Sequence, residues 1–122
     1  MDTKKQQWKR HVDIFRWVYA LLSNDEKTFD ISKFDEEQIK VIDYIKEHKE
    51  EIFDLIKPLL SKTWTWERTK TIDKAIIIGA YGEQKVTGVE KKIIIDQAII
   101  NAKNYSDVNS YKFVNAILDK II

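Results

Sequence analysis

The chain has 122 residues, enough for one domain with its own core. Apolar residues make up 43% and charged residues 34%, the balance of an ordinary soluble protein. There is no Cys, which excludes a disulfide scaffold, a thiolate metal site and a Cys nucleophile. Three Gly and one Pro fall far below the usual ~12%. That argues against a turn-rich β-sandwich and leaves no material for a glycine-rich phosphate loop. Two His argue against a His-based zinc site, and no cofactor is expected. The net charge of +1 hides an uneven distribution. Residues 1–22 carry +3, residues 23–54 carry −6 and residues 55–122 carry +4. Two basic thirds flank an acidic middle. No apolar run approaches the ~20 residues of a membrane span, and Met1 to Arg10 lacks the apolar core of a signal peptide. The expected location is the cytoplasm.

Trp8, Val12, Phe15, Tyr19 and Leu22 are spaced as one stripe of a helix, widened by Ile14, Val18 and Leu21. Ser23-Asn24-Asp25 ends it, and residues 24–35 read as a polar loop. Ile39, Ile42, Ile45 and His48 recur at helical spacing, followed by Ile52, Leu55, Ile56, Leu59 and Leu60. This is one long helix or two with a bend near His48. Pro58 kinks or ends it by removing a ladder hydrogen bond. Lys62 to Glu67 reads as a turn. Thr71 is placed to cap a helix containing Ile72, Ala75, Ile76, Gly79 and Ala80, with Gly82 as its stop and Gly82–Gly88 as loop. Ile95, Ala98, Ile99 and Ala102 predict a further helix. Ser106-Asp107 is placed to cap the last, whose apolar face is Phe113, Val114, Ile117, Leu118 and Ile121. The expectation is an all-α domain of five to seven helices.

Catalytic groupings are scarce. His11 has no Ser or Asp partner placed by sequence logic, and His48 reads as a half-buried packing residue. Glu36-Glu37 and Glu50-Glu51 are adjacent on helices and point apart. Gly79-Ala80-Tyr81-Gly82 is too short for a dinucleotide fingerprint. The expectation is a protein without catalysis.

The first helix is more informative. With Phe15 at zero on the helical wheel, Lys5, Lys9 and Arg16 fall at about 80°, 120° and 100°. Three cations thus share one edge beside the apolar stripe, and Arg10 lies on the other side. Such a row suits phosphates, because neutralising them releases counterions. His11 and Trp17 offer flat faces for unstacked bases.

Three motifs in the second half carry a family resemblance. They are Trp64-Thr65-Trp66-Glu67-Arg68 followed by Ile72-Asp73-Lys74-Ala75-Ile76, then Ile95-Asp96-Gln97-Ala98-Ile99 with Ala102-Lys103-Asn104-Tyr105, then Ser110-Tyr111-Lys112-Phe113-Val114-Asn115-Ala116-Ile117-Leu118-Asp119-Lys120. Together they resemble the NusB family over residues 39–122, the third motif most specifically. Against the family pattern the N-terminal arginine motif is diluted to Lys4-Lys5-Gln6-Gln7-Trp8-Lys9-Arg10-His11. The Gly of the family's closing motif is Ala116, and Asn109 replaces an acidic residue.

The resemblance implies a single domain over residues 1–122 built as two three-helix bundles, an N-terminal one of about 1–61 and a C-terminal one of about 62–122. It implies a transcription antitermination factor that binds boxA-type single-stranded RNA of rRNA leaders together with ribosomal protein NusE. The RNA polymerase elongation complex is then an indirect partner. Lys5, Lys9, Arg10, His11 and Arg16, with Lys112, Phe113 and Asn115 from the last helix, are the RNA-binding candidates. Asp73 and Glu83 are candidates for the protein partner. Two rival readings are a helical protein–protein scaffold and an RNA-docking domain working with an rRNA methyltransferase. Replacing Lys5→Glu together with Lys9→Glu should weaken binding of an rRNA-leader RNA at least about tenfold and flatten its salt dependence in filter binding.

Overall fold

The computed structural model describes residues 4–60 and 65–122, with side chains from Trp8 onward. Lys62 and Trp64, which open the predicted turn and the first motif, lie outside the described residues. Five α-helices follow one another: α1 (Lys4–Leu22), α2 (Glu36–Ile56), α3 (Thr71–Thr87), α4 (Lys91–Tyr105) and α5 (Ser110–Ile121). Short 3-10 turns occupy Glu26–Thr28 and Lys57–Leu59. Among the described residues there is no strand, and no helix is long and apolar enough to cross a membrane.

The organising element is α3. Ala75, Ile76, Ile77 and Ile78 are consecutive and each no more than 1% exposed, so this helix is apolar on every side. A helix of that kind must be covered all round. α1, α2, α4 and α5 all pack on it, which makes α3, from the second half of the sequence, common to both halves of the fold. Burying one such Ile contributes roughly 1.5–3 kcal/mol.

Gly82 is not a stop. It lies inside α3, where a Cβ would come within 2.6 Å of Ile45 Cγ1 and 2.7 Å of Ile45 Cδ1. The residue is glycine because α2 crosses α3 there. The helix runs on to Thr87 and ends at Gly88, whose φ of 71° is the left-handed conformation of a helix C-cap. The predicted loop 82–88 is therefore mostly helix.

The other ends follow local chemistry. α1 stops at Leu22, and Asn24 takes φ of 61°, a conformation Asn tolerates. Asp35 caps α2 in a reciprocal box. Its carboxylate accepts from Gln38 N at 2.8 Å, and Gln38 Oε1 accepts from Asp35 N at 3.0 Å. The expected bend in α2 falls at His48, with φ −112° and ψ 16°. Its ring stacks on Tyr44 at 4.1 Å between centroids, and its Nδ1 donates to the Tyr44 carbonyl at 2.9 Å. Pro58 sits in the 3-10 turn that closes α2. Two predicted caps shift. Lys70, not Thr71, precedes α3, and Asn109 precedes α5. Ser106 instead closes α4.

Gly82→Ala should destabilise the fold by about 1–3 kcal/mol, because the fully buried Ile45 must shift to admit the added methyl. Gly79→Ala meets its nearest atoms at 3.4 Å and gains up to ~1 kcal/mol of helix propensity, so it should be close to neutral. Urea unfolding of the two variants tests the contrast.

Candidate nucleic-acid interface

The stripe of α1 is buried as predicted. Val12, Ile14, Phe15 and Val18 are in the core. Trp17 is there too, at 2% exposed, and so cannot offer a face to a base. Its place beside the stripe is covered by α2, whose Lys46 Nζ lies 5.8 Å from its ring centroid.

The cations of α1 divide into two sets. Lys9 is exposed, 3.6 Å from the Asp13 carboxylate on the same helix. A pair this open to water is worth little. Arg16 is exposed, and among the described residues no carboxylate pairs with it. Lys5 is in the first turn of α1, but its side chain lies outside the described residues. Arg10 is different. Its guanidinium bridges Asp35 and, at 2.9 Å, Glu37 at the start of α2. His11 is half-buried, and its Nδ1 bonds the Glu83 carboxylate.

Arg16 lines an open groove of about 390 Å³ with Tyr19, Phe29 and Tyr105. Tyr19 and Tyr105 are each 45% exposed. Tyr105, the last residue of α4, sets its ring edge-on to Phe15 at 5.3 Å and roughly parallel to Trp8 at 6.1 Å. The two rings and the exposed Arg16 thus line one groove, with Asp25 among its walls. Neither tyrosine is among the RNA-binding candidates named from the sequence. Tyr19 reads there as part of the stripe, although it lies about 40° from Phe15 on the Arg16 side.

The last helix presents Lys112 and Asn115 to solvent. Lys112 Nζ is 6.0 Å from the Tyr111 ring centroid, and Lys103 of α4 is 4.6 Å from it. Phe113 is partly buried and lines a separate cavity of about 570 Å³ beside Asp73, Val108 and Ser110. α1 and α5 share no packed interface. They are joined through the last turn of α4, where Tyr105 touches α1 and Lys103 lies over a ring of α5.

Asp73 and Glu83 are inside the fold, at 5% and 8% exposed. Asp73 accepts from Ser106 Oγ at 2.6 Å and Ser110 Oγ at 3.1 Å, tying α3 to the turn between α4 and α5. Glu83 ties α3 to α1 through His11. Carboxylates held this way are braces of the fold and present no face to a protein partner. Burial pushes the Glu83 carboxyl above its ordinary value of 4.5, opposed by the bond and charge of His11 and by Arg10.

An all-α fold with an open groove of cation and tyrosine rings defines a helical binding module. The chain belongs to the NusB family, whose model matches residues 3–122. A relative from Ligilactobacillus salivarius, named transcription antitermination protein NusB, is 37% identical over 84% of this chain and 75% of its own length. A relative of the same name from Borreliella burgdorferi is 43% identical over 60% of this chain and 52% of its own length. The solved structure of T. maritima NusB is similar with a TM-score of 0.78 at 28% identity, covering 99% of this chain and 92% of that chain.

Glu83 also gives a pH signature. Its raised carboxyl holds a proton in the folded chain that the unfolded chain releases. Its favourable contribution is complete below the ordinary value of 4.5 and is lost as pH rises through the raised one. Glu83→Gln should therefore gain stability relative to the parent as pH rises from about 4.5 towards neutrality, read by urea unfolding at a series of pH values.

Proposed function

We propose that this protein is a non-catalytic transcription antitermination factor of the cytoplasm. In this reading it binds boxA-type single-stranded RNA of rRNA leaders together with ribosomal protein NusE, and so acts on the RNA polymerase elongation complex. Family membership supports the class of activity. The observation that gives it a physical form is the groove lined by Arg16 together with the exposed rings of Tyr19 and Tyr105.

Unpaired RNA needs phosphate neutralisation and flat groups for splayed bases. Arg16 and Lys9 supply the first. They are seven residues apart, about 10.5 Å along the helix. Tyr19 and Tyr105 supply the second. Their sequence-tolerant stacking is worth about 1–3 kcal/mol per base. Lys112 and Asn115 extend the contact onto α5, with Lys103 beside them. Phe113 lines the neighbouring cavity, where a base could enter. The protein partner needs an exposed surface, which Asp73 and Glu83 lack. Ile93 and Ile100, seven residues apart on α4 and 55% and 44% exposed, are the apolar groups it would cover.

Fluorescence anisotropy with a labelled rRNA-leader RNA tests this reading. Arg16→Glu should weaken binding at least about fivefold and reduce the salt slope by about one. Tyr105→Leu keeps the contact with Phe15 but loses the aromatic face. It should weaken binding about five- to a hundredfold at an unchanged salt slope. Parent-like binding by both variants refutes the groove.

A further inference from the structure

The two edges of α1 carry cations in different states, and the difference has a use. We infer that Arg10 is a positioning residue: its ion pairs with Asp35 and Glu37 fix the roll of α1 about its axis, so aiming Lys9 and Arg16, and it takes no phosphate itself. This rests on the RNA-binding reading of the open edge.

Placement is the first support. Arg10 lies across the apolar stripe from Lys9 and Arg16. It borders a cavity of about 60 Å³ shared with Glu37, Gln38 and Val41 of α2 and Glu83 of α3. That space holds a few waters at ~10–15 Å³ each and no nucleotide. Arg16 borders the open groove on the opposite edge.

The second support is the way the pair is built. Asp35 is already the N-cap of α2, so one carboxylate receives both the Gln38 amide and the guanidinium. Gln38 Nε2 returns a bond to the Arg10 carbonyl at 3.3 Å. The main chain and the side chain of Arg10 are thus both joined to the same helix start. A phosphate approaching Arg10 would meet Asp35 and Glu37, whose side chains are 43% and 56% exposed, and be repelled.

The third support is the neighbouring residue. His11 is bonded to Glu83 of α3. Two successive residues therefore anchor one edge of α1 to two different helices. Roll matters on the other edge. With side chains reaching 5–6 Å from the axis, a ~20° rotation moves them by about 2 Å. That is enough to break a hydrogen bond to a phosphate.

The test uses the full chain and a labelled single-stranded RNA copied from an rRNA leader, titrated at several salt concentrations. The variants are Arg10→Gln, the pair Asp35→Asn with Glu37→Gln, and all three together. Asn keeps the cap on α2, and circular dichroism confirms that each protein is folded at the assay temperature. Arg10→Gln and the carboxylate pair should each weaken binding about three- to tenfold at the parent's salt slope, and the triple variant should be no weaker than either. The loss in the carboxylate pair is the distinctive result, because those changes make the protein more positive. Tighter binding by that pair, or a slope reduced by about one in Arg10→Gln, would make Arg10 a phosphate ligand and overturn the inference. Parent-like affinity in Arg10→Gln alongside lost affinity in Arg16→Glu overturns the positioning role and leaves the RNA reading standing. A folded parent that binds no RNA removes both.

Discussion

A helical turn that is apolar around its whole circumference cannot rest on a surface, and the middle of α3 is such a turn. Its four consecutive residues from Ala75 to Ile78 are all out of water, so each side must find a cover. α1, α2, α4 and α5 are those covers. At Gly82 the approach is tight, with Ile45 occupying the space a side chain would take. Every other placement follows from this. Tyr105 can reach Phe15 because α1 and α4 share α3 as a neighbour, and the open groove lies along that seam.

Charge then sorts itself by edge. The acidic middle of the chain is not a uniform solvated face. Two of its carboxylates, Asp35 and Glu37 at the start of α2, are spent on Arg10, and Glu83 from the later part of the chain is spent on His11. What remains open on α1 is the other edge, with Lys9 and Arg16. Arg10 is thus matched by carboxylates, whereas Arg16 on the side where the tyrosines stand has no ion pair among the described residues. A net charge of +1 for the chain therefore says little about the potential at the groove.

Much of the fold was legible as periodicity. The stripe of α1, the bend at His48, the stop at Pro58 and the apolar face of α5 all follow from spacing. The errors share one cause. Gly82 reads as a breaker when only its own neighbourhood is considered, and its true reason is Ile45, far away in the chain. The burial of Asp73 and Glu83, named from the resemblance as partner candidates, is hidden in the same way, because nothing local announces Ser106, Ser110 or His11 as their partners. Trp17 fell on the wrong side of the boundary between stripe and edge, where α2 reaches over it. The candidate groove was half visible. Its cation was found from the wheel, but its rings come from α1 and α4, and no local pattern brings Tyr19 and Tyr105 together.

The break at His48 has a mechanical meaning. α2 is continuous in sequence, yet its backbone leaves helical geometry at one residue, bridged by a ring nitrogen bound to the carbonyl of Tyr44. Fraying that begins at the Phe53 end meets an interrupted ladder before it reaches Asp35. The start of α2, which anchors Arg10, is thus insulated from disturbances arriving at its far end.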